Sequence, residues 1–350
     1  MPIPPDYRLV AGFGFRCLPG CGLCCFTTPA VAPEERARLI QLDPATPLLE
    51  GTDGWARIAS RPEGGACHFL RAERCECHAV RPATCAEFPL TVHAGARAQV
   101  SVVLTCPGVD LAPLARWGEG SPTGAVATSL RSELEAVRLE VARAETTGQL
   151  RWAAQRWQSV ERRLRRAGIW QPPEEVRRAL QGGLDQMIPV LLSEEDAPEE
   201  DEELEALPLF YDEKFGRVAW RQHPAGVEFL ALQESGGIKA HLEVLAPPSR
   251  SPGLEQDART MLCGYLAYLL ARDATLSAAY ELLLVVEPEL PELLVAADLR
   301  AAANQVIRMA TLRRALGSGR RGLLTREDIE RGIRATDMDL LDRPTAGLRL

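Results

Sequence analysis

Cys17-Leu18-Pro19-Gly20-Cys21-Gly22-Leu23-Cys24-Cys25 is the stretch on which the reading of this chain turns, because it puts four thiols within nine residues. Gly20 and Gly22 let the backbone turn tightly enough for those thiols to converge on one centre. A second group follows in Cys67-His68-Phe69-Leu70, Cys75-Glu76-Cys77-His78 and Arg81-Pro82-Ala83-Thr84-Cys85. Cys106-Pro107-Gly108 ends the series, and Cys263 alone lies beyond it. The Cα atoms of neighbours such as Cys24 and Cys25 are ~3.8 Å apart, short of the roughly 4.4 Å at which disulfides begin, so that pair is poorly placed to bridge itself. The opening Met1-Pro2-Ile3-Pro4-Pro5-Asp6 has neither the basic region nor the apolar core of a secretory signal. A reducing, cytoplasmic compartment is therefore expected, in which clustered thiols bind metal or carry out redox chemistry.

The composition around this segment narrows the class. A hydrophobic fraction of 46% and a charged fraction of 25% exclude a chain disordered throughout, and 350 residues suggest about two domains. No apolar run approaches the roughly 18 residues of a membrane helix, so no membrane partner is expected. A net charge of -8 argues against a general nucleic-acid binder. All but two of the 40 basic residues are arginine, the exceptions being Lys214 and Lys239, which reflects genome composition more than function.

Working outward, residues 1–110 read as a short, irregular, cysteine-rich metal-binding domain with two regular pieces. Pro33-Glu34-Glu35 opens a short helix, with Pro at its first position and acids in its first turn. Ala98 to Leu104 has the β-branched content of a strand. So few apolar elements bury little core, and metal ligation is the usual substitute. Residues 111–193 read as helical. Leu130, Leu134, Val137 and Val141 recur at three- and four-residue spacing, and an arginine-rich run through Trp152, Trp157, Val160 and Leu164 follows. A further helix opens at Gln171-Pro172-Pro173 and is expected to reach about Leu192. Residues 194–208, opening with the acidic block Glu194 to Glu205, read as a linker. Residues 209–350 read as an antiparallel β meander (Arg217–Trp220, Gly226–Leu232, Ala240–Leu245, with a turn at Ser235-Gly236-Gly237) and then helices over about 254–272, 275–286 and 291–315. A last helix starts at the capping-box variant Thr325-Arg326-Glu327-Asp328. The fold class is thus α+β, mostly α: the cysteine-rich domain, then a mainly helical region with a small meander.

Four sulfurs complete one tetrahedral zinc site or one [4Fe–4S] cluster, so eight or nine exceed a single site. Either there are two centres or some thiols are structural. The quoted segments, together with Ala86-Glu87-Phe88-Pro89, resemble the YkgJ-type cysteine-cluster family. Its hallmark is Cys-x-x-Cys-x-x-Cys-Cys, then Cys-x-Phe-Leu, a Cys followed by Arg-Pro-x-x-Cys-x-x-Phe-Pro, and a late Cys. The resemblance implies a zinc- or iron-chelating domain with Cys17, Cys21, Cys24, Cys25, Cys67, Cys75, Cys85 and Cys106 as metal ligands. Two departures stand out: three residues separate Cys17 from Cys21, and Cys77 stands where the family has an apolar residue. His68 and His78 are further candidate ligands or second donors to them. Arg81 and Pro82 read as structural, with Arg81 bonding carbonyls or screening thiolate charge.

The metal has three readings. In the first it is an iron–sulfur cluster, one or two of [4Fe–4S] type, in a redox or cluster-assisted role on an unknown protein substrate or redox partner. In the second, a looser resemblance to flagellin lysine N-methylases implies S-adenosylmethionine as methyl donor, with no donor-binding residue assigned. In the third, zinc staples a protein-interaction module. Elsewhere, Gly317 to Gly322 spells G-x-G-x-x-G but follows a helix instead of a strand, so it reads as a loop. Cys263, among Met261, Leu262, Tyr265 and Leu266, reads as a core residue.

Overall fold

A computed structural model describes residues 5–26, 29–51, 55–61, 66–117, 127–190, 192, 207–233, 237–248, 250–285, 290–318, 322–337 and 348–349. The strands are β1 Ala30–Val31, β2 Leu48–Glu50, β3 Ala56–Ile58, β4 Leu70–Arg71, β5 Arg74–Cys75, β6 Leu90–Ala94, β7 Ala98–Val102, β8 Leu209–Asp212, β9 Gly216–His223, β10 Gly226–Leu232, β11 Ile238–Leu245 and β12 Leu348–Arg349. The helices are α1 Pro33–Leu42, α2 Ala83–Glu87, α3 Leu114–Trp117, α4 Arg131–Thr146, α5 Gln149–Ala167, α6 Pro173–Gln181, α7 Gln256–Ala271, α8 Asp273–Leu282, α9 Pro291–Ser318 and α10 Arg326–Thr336. The strands form small antiparallel sheets ordered β1-β3-β2, β4-β5, β12-β6-β7 and β11-β10-β9-β8. The α+β, mainly helical class read from the sequence therefore holds.

The hairpin of β6 and β7 explains where the core sits. Every residue of both strands is buried, which requires cover on both faces. Val92, Val100, Val102 and Leu104 join one apolar cluster with Leu262, Tyr265 and Leu266 of α7, Val306 and Ile307 of α9, and Ile329 and Ile333 of α10. The cysteine-rich segment thus borrows its core from helices more than 150 residues away, which answers its shortage of apolar elements. α7 is buried nearly all round, and α3 crosses it at Gly264. A Cβ there would lie 1.7 Å from the Leu114 carbonyl oxygen. Gly264→Ala should therefore push the two helices apart at a cost of about 1–3 kcal/mol, read as a lower midpoint in thermal unfolding. An unchanged midpoint would show that the crossing is not close.

The meander extends further than expected, because β8 adds a fourth strand through Leu209↔Ala219 to Asp212↔Gly216. Ser235 and Gly236 of its expected turn lie outside the described residues. α1 and α10 start as the sequence predicts: Pro33 is the first residue of α1, and the Thr325 hydroxyl accepts from the Asp328 amide. The helical run from Thr128 breaks at Thr147-Gly148, where Gly148 takes φ +82°. The helix expected to reach Leu192 stops at Gln181, ahead of Gly182-Gly183, and only a short 3-10 turn, Leu184–Met187, follows. Two successive glycines remove the backbone preference that would carry a helix onward. Glu194 to Glu205 lies outside the described residues. The loop read for Gly317 to Gly322 starts later than expected, because Gly317 lies in the last turn of α9, which runs to Ser318; Gly319 to Arg321 are likewise outside the described residues. Among the described residues no helix is long and apolar enough to cross a membrane.

Candidate metal centre

Four chain segments carry the nine N-terminal cysteines, and backbone hydrogen bonds tie those segments together. Phe15 bridges to Val109, and the Arg16 amide donates to the Gly108 carbonyl at 2.8 Å. That zipper sets Cys17 beside the Cys106 turn. Gly20 and Gly22 have φ of +75° and +55°, so the chain reverses between Cys17 and the 3-10 turn Leu23–Phe26 that carries Cys24 and Cys25. The Cys67 amide then donates to the Cys25 carbonyl at 2.6 Å, joining the second segment to the first. The β4–β5 hairpin pairs Leu70 with Cys75 and leaves Cys75 Sγ 3.6 Å from Cys77 Sγ. Cys85 sits in α2, whose first amide, Ala83, donates to Glu35 Oε1 at 2.8 Å. The other oxygen of Glu35 accepts from the Ala32 amide at 3.0 Å, so one buried carboxylate fixes the starts of both α1 and α2.

The thiols are close enough to govern one another's charge. The Cys25 thiol lies within hydrogen-bonding reach of both Cys24 and Cys75, and the Cys77 thiol within reach of Cys75. Cys24 and Cys75 are thereby held below the ordinary thiol range, and Cys25 and Cys77 are pushed above it. Burial raises the others, Cys21 to about 11 and Cys106 to about 12, with Cys17, Cys67 and Cys85 moved in the same direction. A charged Cys24 adds to the rise at Cys17, Cys21, Cys67, Cys85 and Cys106, so it faces thiols from every segment. Cys17 and Cys24 are the solvent-exposed members; Cys21, Cys67, Cys77 and Cys106 are buried, and Cys25, Cys75 and Cys85 are half-buried. None of them is in a disulfide. A cation among them would relieve both the repulsion and the burial cost of thiolate.

The eight cysteines expected from the resemblance are thus gathered, with Cys77 among them. Among the described residues, however, no group of three or more His, Cys, Asp or Glu side chains is already disposed to hold a metal ion. The protonated sulfurs make S–H···S contacts instead of opening around a common point, and closing a site requires their deprotonation. The donor chemistry fits a soft or borderline metal, zinc or iron. His68 is half-buried with Nε2 2.7 Å from Asp43 Oδ2, and exposed His78 lies 3.4 Å from Arg81 Nη1. The Arg81 charge favours the thiolates of Cys17, Cys24 and Cys85, the screening role anticipated for it. Cys263 departs from the core position read for it: it is half-buried, with its sulfur 3.8 Å from Asp185 Oδ1. It lies on the side of α7 turned toward the 3-10 turn at 184–187, which the helical pattern around it does not reveal.

Sequence reasoning missed three arginines that grip these loops. Arg61 donates to the carbonyls of His68, at 3.2 Å, and Leu70. Arg217 of β9 donates to the Cys21 carbonyl at 3.2 Å. Arg334 of α10 donates to the carbonyls of Cys106 and, at 2.7 Å, Val109. Nothing in the sequence distinguishes them from the many other arginines.

Residues 16–107 match a family model, CxxCxxCC, described as a putative zinc- or iron-chelating domain. The match spans all nine N-terminal cysteines, so the cysteine-cluster resemblance and the assignment to metal chelation hold over that segment. No curated protein and no solved structure matches the chain.

Proposed function

We propose that Cys17 to Cys106 form a polythiolate metal centre of iron–sulfur type, acting on a protein substrate or redox partner, with the helical remainder as its scaffold. The observation that carries this reading is that hydrogen-bonded loops bring together nine cysteines, none of them in a disulfide, more than one tetrahedral zinc ion uses. Cys17, Cys21, Cys24, Cys25, Cys67, Cys75, Cys85 and Cys106 are the proposed ligands. When bound, such a cluster supplies one-electron transfer or a Lewis-acidic iron. The chain supplies the rest. Phe26, Phe69 and Leu70 are buried against the cysteine loops and keep water from one side, and Arg61, Arg81, Arg217 and Arg334 face the thiols with positive charge. A cytoplasmic location belongs to the same proposal, since reduced thiols are what it requires.

A zinc-stapled interaction module is the second reading. It is favoured by Cys67 and Cys77 being packed with Val31, Leu39 and Ile58 in a small apolar cluster, where a metal would serve as core. One measurement separates the two: metal and acid-labile sulfide content, with a visible spectrum, on anaerobically purified protein. Iron and sulfide in matching amounts with a brown chromophore are expected, and Cys67→Ser should lose them while Cys263→Ser keeps them. Zinc without sulfide would replace the iron–sulfur reading with the staple, and neither metal would end both.

A further inference from the structure

We infer that Arg217 and Arg334 are positioning residues of the thiol-lined centre, coupling the β meander and the last helix to its metal loading. This rests on the metal reading above and adds the outside residues that place the ligands.

Arg334 projects from α10 across the turn that carries Cys106. Its two terminal nitrogens donate to the Cys106 and Val109 carbonyls, with a longer contact of 3.5 Å to the Leu104 carbonyl. One planar fork therefore holds the backbone on both sides of that cysteine. Arg217 reaches the first cysteine loop from β9. Its Nη1 donates to the carbonyls of Cys21, at 3.2 Å, and Gly20, at 3.4 Å, and its guanidinium lies 5.4 Å over the Phe26 ring, next to Cys25. Arg217 is only 6% exposed, and its Nε has no hydrogen-bond partner among the described residues. A buried guanidinium with a donor to spare is costly beside neutral thiols. It is much less so beside a metal held by several thiolates, because such a centre carries net negative charge. Zn²⁺ with four thiolates, for example, is a dianion.

Both arginines thus serve a centre whose negative charge grows on loading. They also reach it from sequence positions far removed from it, one in the meander and one in the final helix. Loading must then stabilise how those elements dock, by linkage, as much as their docking favours loading.

The test uses the full chain and zinc as probe, with affinity read by competition against a chromophoric chelator. The variants are Arg217→Met, Arg334→Met, their lysine counterparts, and Arg313→Met as control. Arg313 is equally buried and donates to the carbonyls of Arg331 at 2.7 Å and Tyr211 at 3.2 Å, away from the cysteines. Arg217→Met and Arg334→Met should each lose about 10–100-fold in zinc affinity. The lysine variants should recover part of it through restored charge, and they carry the comparison should a methionine variant not fold. Arg313→Met, which loosens β8 against α10 without touching a cysteine loop, should melt earlier but lose far less zinc affinity than either. Wild-type zinc affinity in both Arg217→Met and Arg334→Met, or an equal loss in Arg313→Met, overturns the inference. A wild type that takes up neither zinc nor iron overturns the metal reading itself, before any variant is compared.

Discussion

Asp337→Ala should destabilise the protein by roughly 3–5 kcal/mol, because it leaves a buried guanidinium without its counter-ion. Asp337 and Arg272 are 0% and 1% exposed and meet at 2.9 and 3.2 Å. The same carboxylate accepts from the Leu104 amide at 2.7 Å and the Tyr265 hydroxyl at 3.1 Å. Arg272 in turn donates to the Val102 carbonyl at 2.7 Å. The pair therefore fastens the end of β7 and Leu104, two residues before Cys106, to α7 and α10. Burial disfavours the charged form of Arg272, and Asp337 outweighs it, holding the guanidinium above its ordinary range. Urea unfolding should show a lower midpoint with an unchanged slope. Arg272→Met combined with Asp337→Ala should cost less than the two single losses added together, since no lone charge remains. A single-variant loss under about 1 kcal/mol would mean that Arg272 finds water or another anion, and the interior around it would not be dry.

What was legible in the sequence and what was not divide by range. Local chemistry was legible: Pro33 with Glu34 and Glu35 starts α1, Thr325 with Asp328 starts α10, and Gly226 to Leu232 forms a strand as read. The cysteines were legible because short spacing and glycine turns are local too. β6 was not, although Leu90-Thr91-Val92-His93-Ala94 alternates apolar and polar residues: the run is only five residues long, and its polar members Thr91 and His93 are buried as well, against what the alternation suggests. The early end of α6 at Gln181 was hidden because apolar Leu184, Met187 and Ile188 continue helix-like spacing past the Gly182-Gly183 break. The grip of Arg217 and Arg334 on Cys21 and Cys106 could not be read, because those contacts join residues about 200 positions apart. The dual use of Glu35 is half legible: its bond to Ala32 is a capping pattern, and its bond to Ala83 is tertiary.

Acidification should reveal His93, since between pH 6.5 and 4 the wild type should lose about 3 kcal/mol more than His93→Gln. His93 lies in β6 and is 6% exposed. Burial disfavours its charged form and brings its pKa down to about 4, against a weaker opposing pull from Asp273. Asp273 is itself committed to Arg97 at 2.9 Å and Arg177 at 2.5 Å. In the unfolded chain the imidazole titrates near 6.5. Between those two values the unfolded state binds a proton that the folded state refuses, so stability falls as pH falls, and the loss is complete below about 4. Some 2.5 units at 1.36 kcal/mol each give the ~3 kcal/mol. Glutamine is neutral throughout and carries no such term. Urea midpoints of both proteins at pH 7, 6, 5 and 4.5 isolate it, because carboxylates and thiols titrate alike in the two and cancel in the difference. A difference that stays flat with pH would mean that the native imidazole takes up its proton as freely as the unfolded one, so the β6–β7 hairpin is not sealed from water at that end.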